Sequence, residues 1–166
     1  MRSYFHTLAR YNRWANARLY EAVAALPDAA RTRDLGAFFG SIHYTLNHLI
    51  VTDRIWLARI EERPTPHSRL DEVPYAAFAD LHAARQDLDE HLIAVTEGLG
   101  EADIRGTLRY QSMDGTSFQT PMKLVLGHVF NHGTHHRGHV HAMLSQLGET
   151  PPALDLVYFA RTLDGR

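Results

Sequence analysis

Thr120 to Gly148 reads TPMKLVLGHVFNHGTHHRGHVHAMLSQLG, and six of the chain's 12 histidines fall between His128 and His141. Val125, Val129, His132, His136, His139 and Met143 follow one another at steps of four and three residues. With about 100° of turn per residue, that spacing is an apolar helical seam with three histidines in its middle. It predicts a long helix whose histidine line faces the interior of a helical bundle. His132 and His136 then stack on one face, about one turn apart, where two imidazoles can bind a single ion. His128 sits one turn before His132 at the edge of the seam, and His135 lies to the side of His136. His141 is about 180° from His132 and is expected in solvent.

Working outward, three more long segments carry helical stripes. The first runs from about Ser3 to Leu26, with Phe5, Leu8, Asn12, Ala15, Leu19, Ala22 and Leu26 on one side, and Pro27-Asp28 stops it. The second runs from about Leu35 to Glu62, with Phe38, Ile42, Thr45, Leu49, Thr52 and Trp56 on one side, until Pro64 and Pro66 break the chain. The third starts near Pro74, a favoured first-turn residue, and reaches Leu99 before Gly100. Between Arg105 and Gln119 the period changes to alternation around Asp114-Gly115, a hairpin signal. Thr120-Pro121 reads as an N-cap with proline at the first helical position, opening the last long helix to Leu147. Gly148 ends it, Pro151-Pro152 follow, and Leu154 to Leu163 form a short helical tail. The fold class expected is all-α. It is a four-helix bundle with a short β-hairpin before the last bundle helix and a short C-terminal helical tail, in one domain over residues 1–166. The short link between the first two helices argues that they are antiparallel neighbours.

Composition narrows the function classes. The 166 residues, 45% of them hydrophobic, suffice for one domain with a real core. No apolar run approaches the roughly 18 residues of a membrane span, and MRSYFHTLARYNRW lacks a signal-peptide core, so no membrane association and a cytoplasmic location are expected. With a net charge of −2 and no basic stripe, no nucleic-acid partner is expected. The absence of cysteine removes disulfides, thiolate metal sites and a cysteine nucleophile together. Any metal must be held by histidine, carboxylate or water.

Two ligands do not complete a site, and the second helix offers His43 and His48. His48 lies beside Thr45, Thr52 and Ile55 near the apolar side, whereas His43 groups with Asn47 and Arg54 on a polar side, so His48 is the better third ligand. His6, His67, His82 and His91 are scattered and read as surface residues. Three histidines without a fourth protein ligand match catalytic metal sites, where water or substrate fills the open position. Asp53 is a candidate to orient a ligand or bound water, against the plainer reading of a solvated partner for an arginine. No HExxH, Glu-x-x-His pair, GxSxG, Walker loop or GxGxxG occurs, which disfavours zincin, ferritin-like, hydrolase-elbow and nucleotide-binding classes.

The stretch HVFNHGTHHRGH (His128 to His139) resembles the signature helix of the DinB/YfiT-like superfamily. ARYNRWAN (Ala9 to Asn16), SIHYTLNHLIVTDRIW (Ser41 to Trp56) and PPALDLVYF (Pro151 to Phe159) resemble its other recurring segments in the same order. The resemblance covers nearly the whole chain. It implies a four-helix bundle carrying a divalent metal ion (zinc, nickel or iron) on three histidines, which fall here on His48, His132 and His136. It also implies a homodimer. Where many relatives read HHRGQ, this chain has His139 in place of glutamine, which makes His139 a candidate fourth ligand, proton-transfer group or polar neighbour. Relatives include S-transferases and isomerases that use low-molecular-weight thiols such as bacillithiol or mycothiol, so the implied function is a thiol-dependent transferase acting on a small-molecule substrate. Arg137 is then a candidate to hold an anionic substrate group, against an ordinary salt bridge. The alternatives are metal-dependent hydrolysis, with Asp53 or His139 as base, and a non-enzymatic metal-binding stress or interaction protein.

Overall fold

A computed structural model describes residues 1–163; the final three positions of the expected 1–166 domain lie outside the described residues. Four long helices make the bundle: α1 (Arg2–Ala24), α3 (Ile42–Ile60), α4 (Phe78–Gly98) and α6 (Met122–Gln146). Between them lie the short helices α2 (Asp28–Thr32) and α5 (Glu101–Arg105) and an antiparallel hairpin, β1 (Thr107–Gln111) with β2 (Ser117–Pro121). α7 (Leu156–Leu163) closes the described chain and seats Phe159 against Tyr11 and Trp14 of α1. Among the described residues no helix is long and apolar enough to cross a membrane.

α1 packs against α4 and α6, and α3 packs against the same two helices, so α1 and α3 stand diagonally across the bundle. The first two long helices are therefore not neighbours, contrary to the sequence expectation. The reason is the link. It runs from Ala25 to Ser41 and contains α2 and a turn closed by an Ala37–Gly40 bridge, enough chain to cross the end of the bundle. Leu35 to Gly40 lie in that crossing and not in α3, and Phe38 is 88% exposed. α3 begins where Ser41 caps it, its Oγ accepting from the Tyr44 N–H at 3.3 Å. It ends where Glu62 takes φ 54, the left-handed conformation that lets the Arg63 N–H donate to the Ala58 carbonyl at 2.8 Å.

Two other boundaries also move. Pro74 to Ala77 lie outside the helix, because Asn47 of α3 binds the Tyr75 backbone on both sides: its Oδ1 accepts from the Tyr75 N–H at 3.0 Å and its Nδ2 donates to the Tyr75 carbonyl at 3.1 Å. Thr120 and Pro121 belong to β2, paired with Leu108 and Thr107, and the helix starts one residue later. Proline is tolerated there because an edge strand does not need its N–H. The Asp114-Gly115 turn forms as expected, with Gly115 at φ +85.

The core is apolar along most of its length, built on Leu19 and Val23, Ile42, Leu46 and Ile50, Leu81 and Leu92, and Leu126 and Val140. One layer is polar. Arg85 of α4 donates to Asp53 Oδ2 at 2.7 Å and lies 2.9 Å from Asp89 Oδ1. Asn12 and Asn16 of α1 each donate to the same Asp89 oxygen, at 3.1 and 2.9 Å. Their amide oxygens accept from Arg137 of α6. Two carboxylates and two guanidiniums thus form a buried, charge-balanced ladder through the bundle. Burial opposes the charge on Arg85, yet Asp89 and Asp53 together hold its pKa above the ordinary value.

Candidate metal centre

α6 buries two adjacent lines of residues. Leu126, Phe130, Gly133, Arg137, Val140 and Leu144 form the line pressed deepest into the bundle. The histidine seam lies one residue around from it: Val125, Val129, His136 and Met143 are buried, while His132 and His139 are half-buried. The seam therefore runs along the junction of α6 with α3, at the boundary between core and water, and not through the centre of the bundle. That placement matters. It desolvates imidazoles without sealing them off.

His48 comes to this junction from α3, and the structure brings together the three histidines singled out from sequence. His48 Nε2 lies 3.3 Å from His132 Nε2, which lies 3.1 Å from His136 Nε2. The Nδ1–H of His48 donates to the Leu70 carbonyl at 2.8 Å, which fixes the tautomer and leaves the Nε2 lone pair aimed at the other rings. Phe39 stacks on His48 with centroids 4.0 Å apart and leans on His136 at 5.6 Å, covering one side of the cluster. Burial lowers the pKa of all three histidines. His132 falls to about 4 and His136 to about 3, each lowered further by neighbouring imidazoles. All three are neutral near pH 7, the form that binds metal.

Neutral imidazoles so placed can share a ring N–H or turn their lone pairs on a cation, and this donor set could hold one. In a tetrahedral site with Zn–N near 2.0–2.1 Å, neighbouring nitrogens sit about 3.3 Å apart. The observed 3.1 and 3.3 Å spacings fit that edge.

The other candidates lie elsewhere. Asp53 is buried and engaged by Arg85, so it is not the solvated arginine partner of the plainer reading. Arg137 is buried against α1, over the Tyr11 ring and bonded to Asn12, Asn16 and Thr134, on the face of α6 turned to α1 and not to α3. His139 is half-buried beside His135 and His136, with ring centroids 4.3 and 5.2 Å away. His128 is exposed and lies against Trp56 and His132.

Several histidines depart from expectation. His43 is 4% exposed and not on a polar face; its Nε2 sits 2.9 Å from the Tyr75 carbonyl, because the 63–77 loop folds over that side of α3. His6, His67, His82 and His91, expected on the surface, are each half-buried. His67 pairs with Glu72 at 2.7 Å and His91 with Glu61 at 2.9 Å. His141, expected in solvent, is half-buried too. Phe39 and the Leu70 carbonyl were not foreseen. Phe39 lies in an irregular turn, and a backbone carbonyl carries no side-chain signal at all.

An open groove of about 1600 Å³ lies between the 62–72 loop and the hairpin, with Arg59, Arg63, Arg109, Tyr110 and Met122 in its wall. None of the three histidines lines it. A run of rings connects the two: Tyr110 to Trp56 at 5.2 Å, Trp56 to His128 at 5.1 Å, and His128 to His132 at 5.5 Å.

Comparison with known proteins matches this arrangement to one family. The DinB family model covers residues 1–163. Protein DinB of Bacillus subtilis (strain 168) is 26% identical over 154 residues, spanning 89% of this chain and 88% of that protein. A DinB-like protein from Bacillus cereus ATCC 10987 has the same fold, with a TM-score of 0.64 at 14% identity over 84% of this chain and 89% of that one. The bundle with its hairpin, and a family match over every described residue, lead to one conclusion: this chain belongs to the DinB family.

Proposed function

We propose that His48, His132 and His136 hold a divalent ion through their Nε2 atoms, and that the protein is a thiol-dependent S-transferase acting on a small electrophile. The observation that carries this reading is the set of Nε2 separations, 3.1 and 3.3 Å among neutral imidazoles at the edge of the core. A donor set of imidazole alone suits Zn²⁺, Ni²⁺ or Fe²⁺ and not the oxygen-seeking Mg²⁺ or Ca²⁺. When bound with an open position, such an ion lowers the pKa of a coordinating thiol and so supplies a sulfur nucleophile near neutral pH.

The chain's own residues orient and shield. Leu70 fixes the His48 ring, Phe39 excludes water from one side, and the half-buried His132 edge leaves an approach from solvent. With no cysteine in the sequence, the thiol must come from a separate small molecule. In the transfer, a sulfur–carbon bond forms, the leaving group departs with its bonding electrons, and the thiol proton passes to solvent. Hydrolysis is the weaker alternative, because Asp53, one of its two candidate bases, is already engaged by Arg85.

The test is conjugation of bacillithiol or mycothiol to an aryl halide by the zinc- or nickel-loaded protein. The expected result is a rate above the uncatalysed reaction that disappears in His132→Ala/His136→Ala. Equal rates for the two proteins would contradict the proposal.

A further inference from the structure

The histidine line of α6 continues past the inner cluster. His135 and His139 stand one turn apart on the solvent side, the first exposed and the second half-buried, with ring centroids 4.3 Å apart. Both flank His136, at 4.8 and 5.2 Å between centroids. One nitrogen from each of these three residues lies within 4.8 Å of the other two.

His136 has two nitrogens, and the inner cluster occupies only one of them. Its Nε2 faces His132 at 3.1 Å, while its Nδ1 is buried with no hydrogen-bond partner. His136 is only 6% exposed. An unpaired buried polar atom is destabilising, and a cation at Nδ1 would relieve it. His48, by contrast, has its second nitrogen satisfied by the Leu70 carbonyl.

We propose that His135, His139 and the Nδ1 of His136 form a second, outer site for a borderline-soft divalent cation, so that the His136 ring is shared between two ions. The sharing rests on the inner-site reading above; the outer donors His135 and His139 do not. An all-imidazole set selects Zn²⁺, Ni²⁺ or Cu²⁺ over Mg²⁺ and Ca²⁺. An ion needs these nitrogens about 3.3 Å apart, so the exposed His135 and the half-buried His139 must both draw in from within 4.8 Å. With Nε2 committed to the inner ion, Nδ1 carries the ring proton. For an outer ion to bind there, the N–H bond must break, its proton passing to solvent and its electron pair staying on Nδ1 as the donor; no electron transfer is involved. The need to lose a proton and to order an exposed side chain makes the outer site the weaker one, filled second.

The experiment is calorimetric titration of Zn²⁺ into the chelator-stripped, tag-free full chain, repeated with Co²⁺ and followed by electron paramagnetic resonance. Wild type is expected to take up two ions in separate events, with the two Co²⁺ ions magnetically coupled through the shared ring. His139→Gln and His135→Ala should each weaken the second event at least about tenfold and leave the first intact. His48→Ala should abolish the first, because His48 belongs only to the inner site. A single event in wild type would overturn the proposal. So would a second event indifferent to His135 and His139, meaning an adventitious ion only, or two ions without coupling. Where wild type gives a single event, its survival in His48→Ala would mean that the inner-site reading fails, and its loss there that the outer site does.

Discussion

α6 presents two polar faces to its neighbours, and they end in different ways. Toward α1, Arg137 meets Asn12 and Asn16, which hold Asp89, which faces Arg85, which holds Asp53. Donors there meet acceptors and positive charge meets negative. Toward α3, the neighbours of His132 Nε2 are two more imidazole nitrogens. The first face balances its charges without any ligand, although Arg85 Nε and Nη2 lack hydrogen-bond partners, and it reads as structure. The second presents imidazole nitrogens to one another, a set that could hold a cation. Burial and polarity alone do not separate the two cases. The chemistry of each group's partner does.

The largest effect should come from breaking the ladder. Arg85→Met strands Asp53 and Asp89 without their cation, and denaturant unfolding should report a loss of about 3–5 kcal/mol. Next comes Gly133→Ala. A Cβ at that position would lie 3.0 Å from both Arg137 Nη1 and Asn12 Oδ1. Crowding of that kind costs about 1–3 kcal/mol, against a gain in helix propensity of about 1 kcal/mol, so unfolding should reveal a net loss on the ladder side while ion uptake at His48, His132 and His136 persists.

The histidine face should reveal itself through pH. His132 and His136 titrate at about 4 and about 3 in the fold, against 6.5 ordinarily. Between those values the unfolded chain binds protons that the folded chain refuses, so folding of the metal-free protein is fully supported above pH 6.5 and loses support as pH falls toward 4 and then 3. Urea midpoints at pH 7 and pH 5 should differ in that direction, and His132→Ala/His136→Ala should flatten the difference. A steeper dependence in the variant would contradict the assignment. At the small end, Arg13→Ala removes an ion pair with Glu90 whose side chains are 49% and 62% exposed, and unfolding should change by less than about 1 kcal/mol.

The four long helices were legible because amphipathic period is a local property, and Asp114-Gly115 marked the hairpin for the same reason. The His132/His136 pair was legible through its spacing alone, and His48 through its position beside the apolar side of the second helix. What stayed hidden depends on chain segments without period. The crossing from Ala25 to Ser41 set α1 and α3 diagonal and brought Phe39 onto His48. The 63–77 loop buried His43 and supplied the Leu70 carbonyl. The buried ladder was equally invisible, since Arg85 and Asp89 look in sequence like any solvated i,i+4 pair.

The central claim is that His48, His132 and His136 together hold an ion, and metal analysis of tag-free protein purified without chelator tests it most directly. About one tightly held divalent ion per chain is expected, lost in His132→Ala/His136→Ala while the fold is retained. Folded wild type that contains no ion and takes up none when zinc, nickel or iron is added would contradict it.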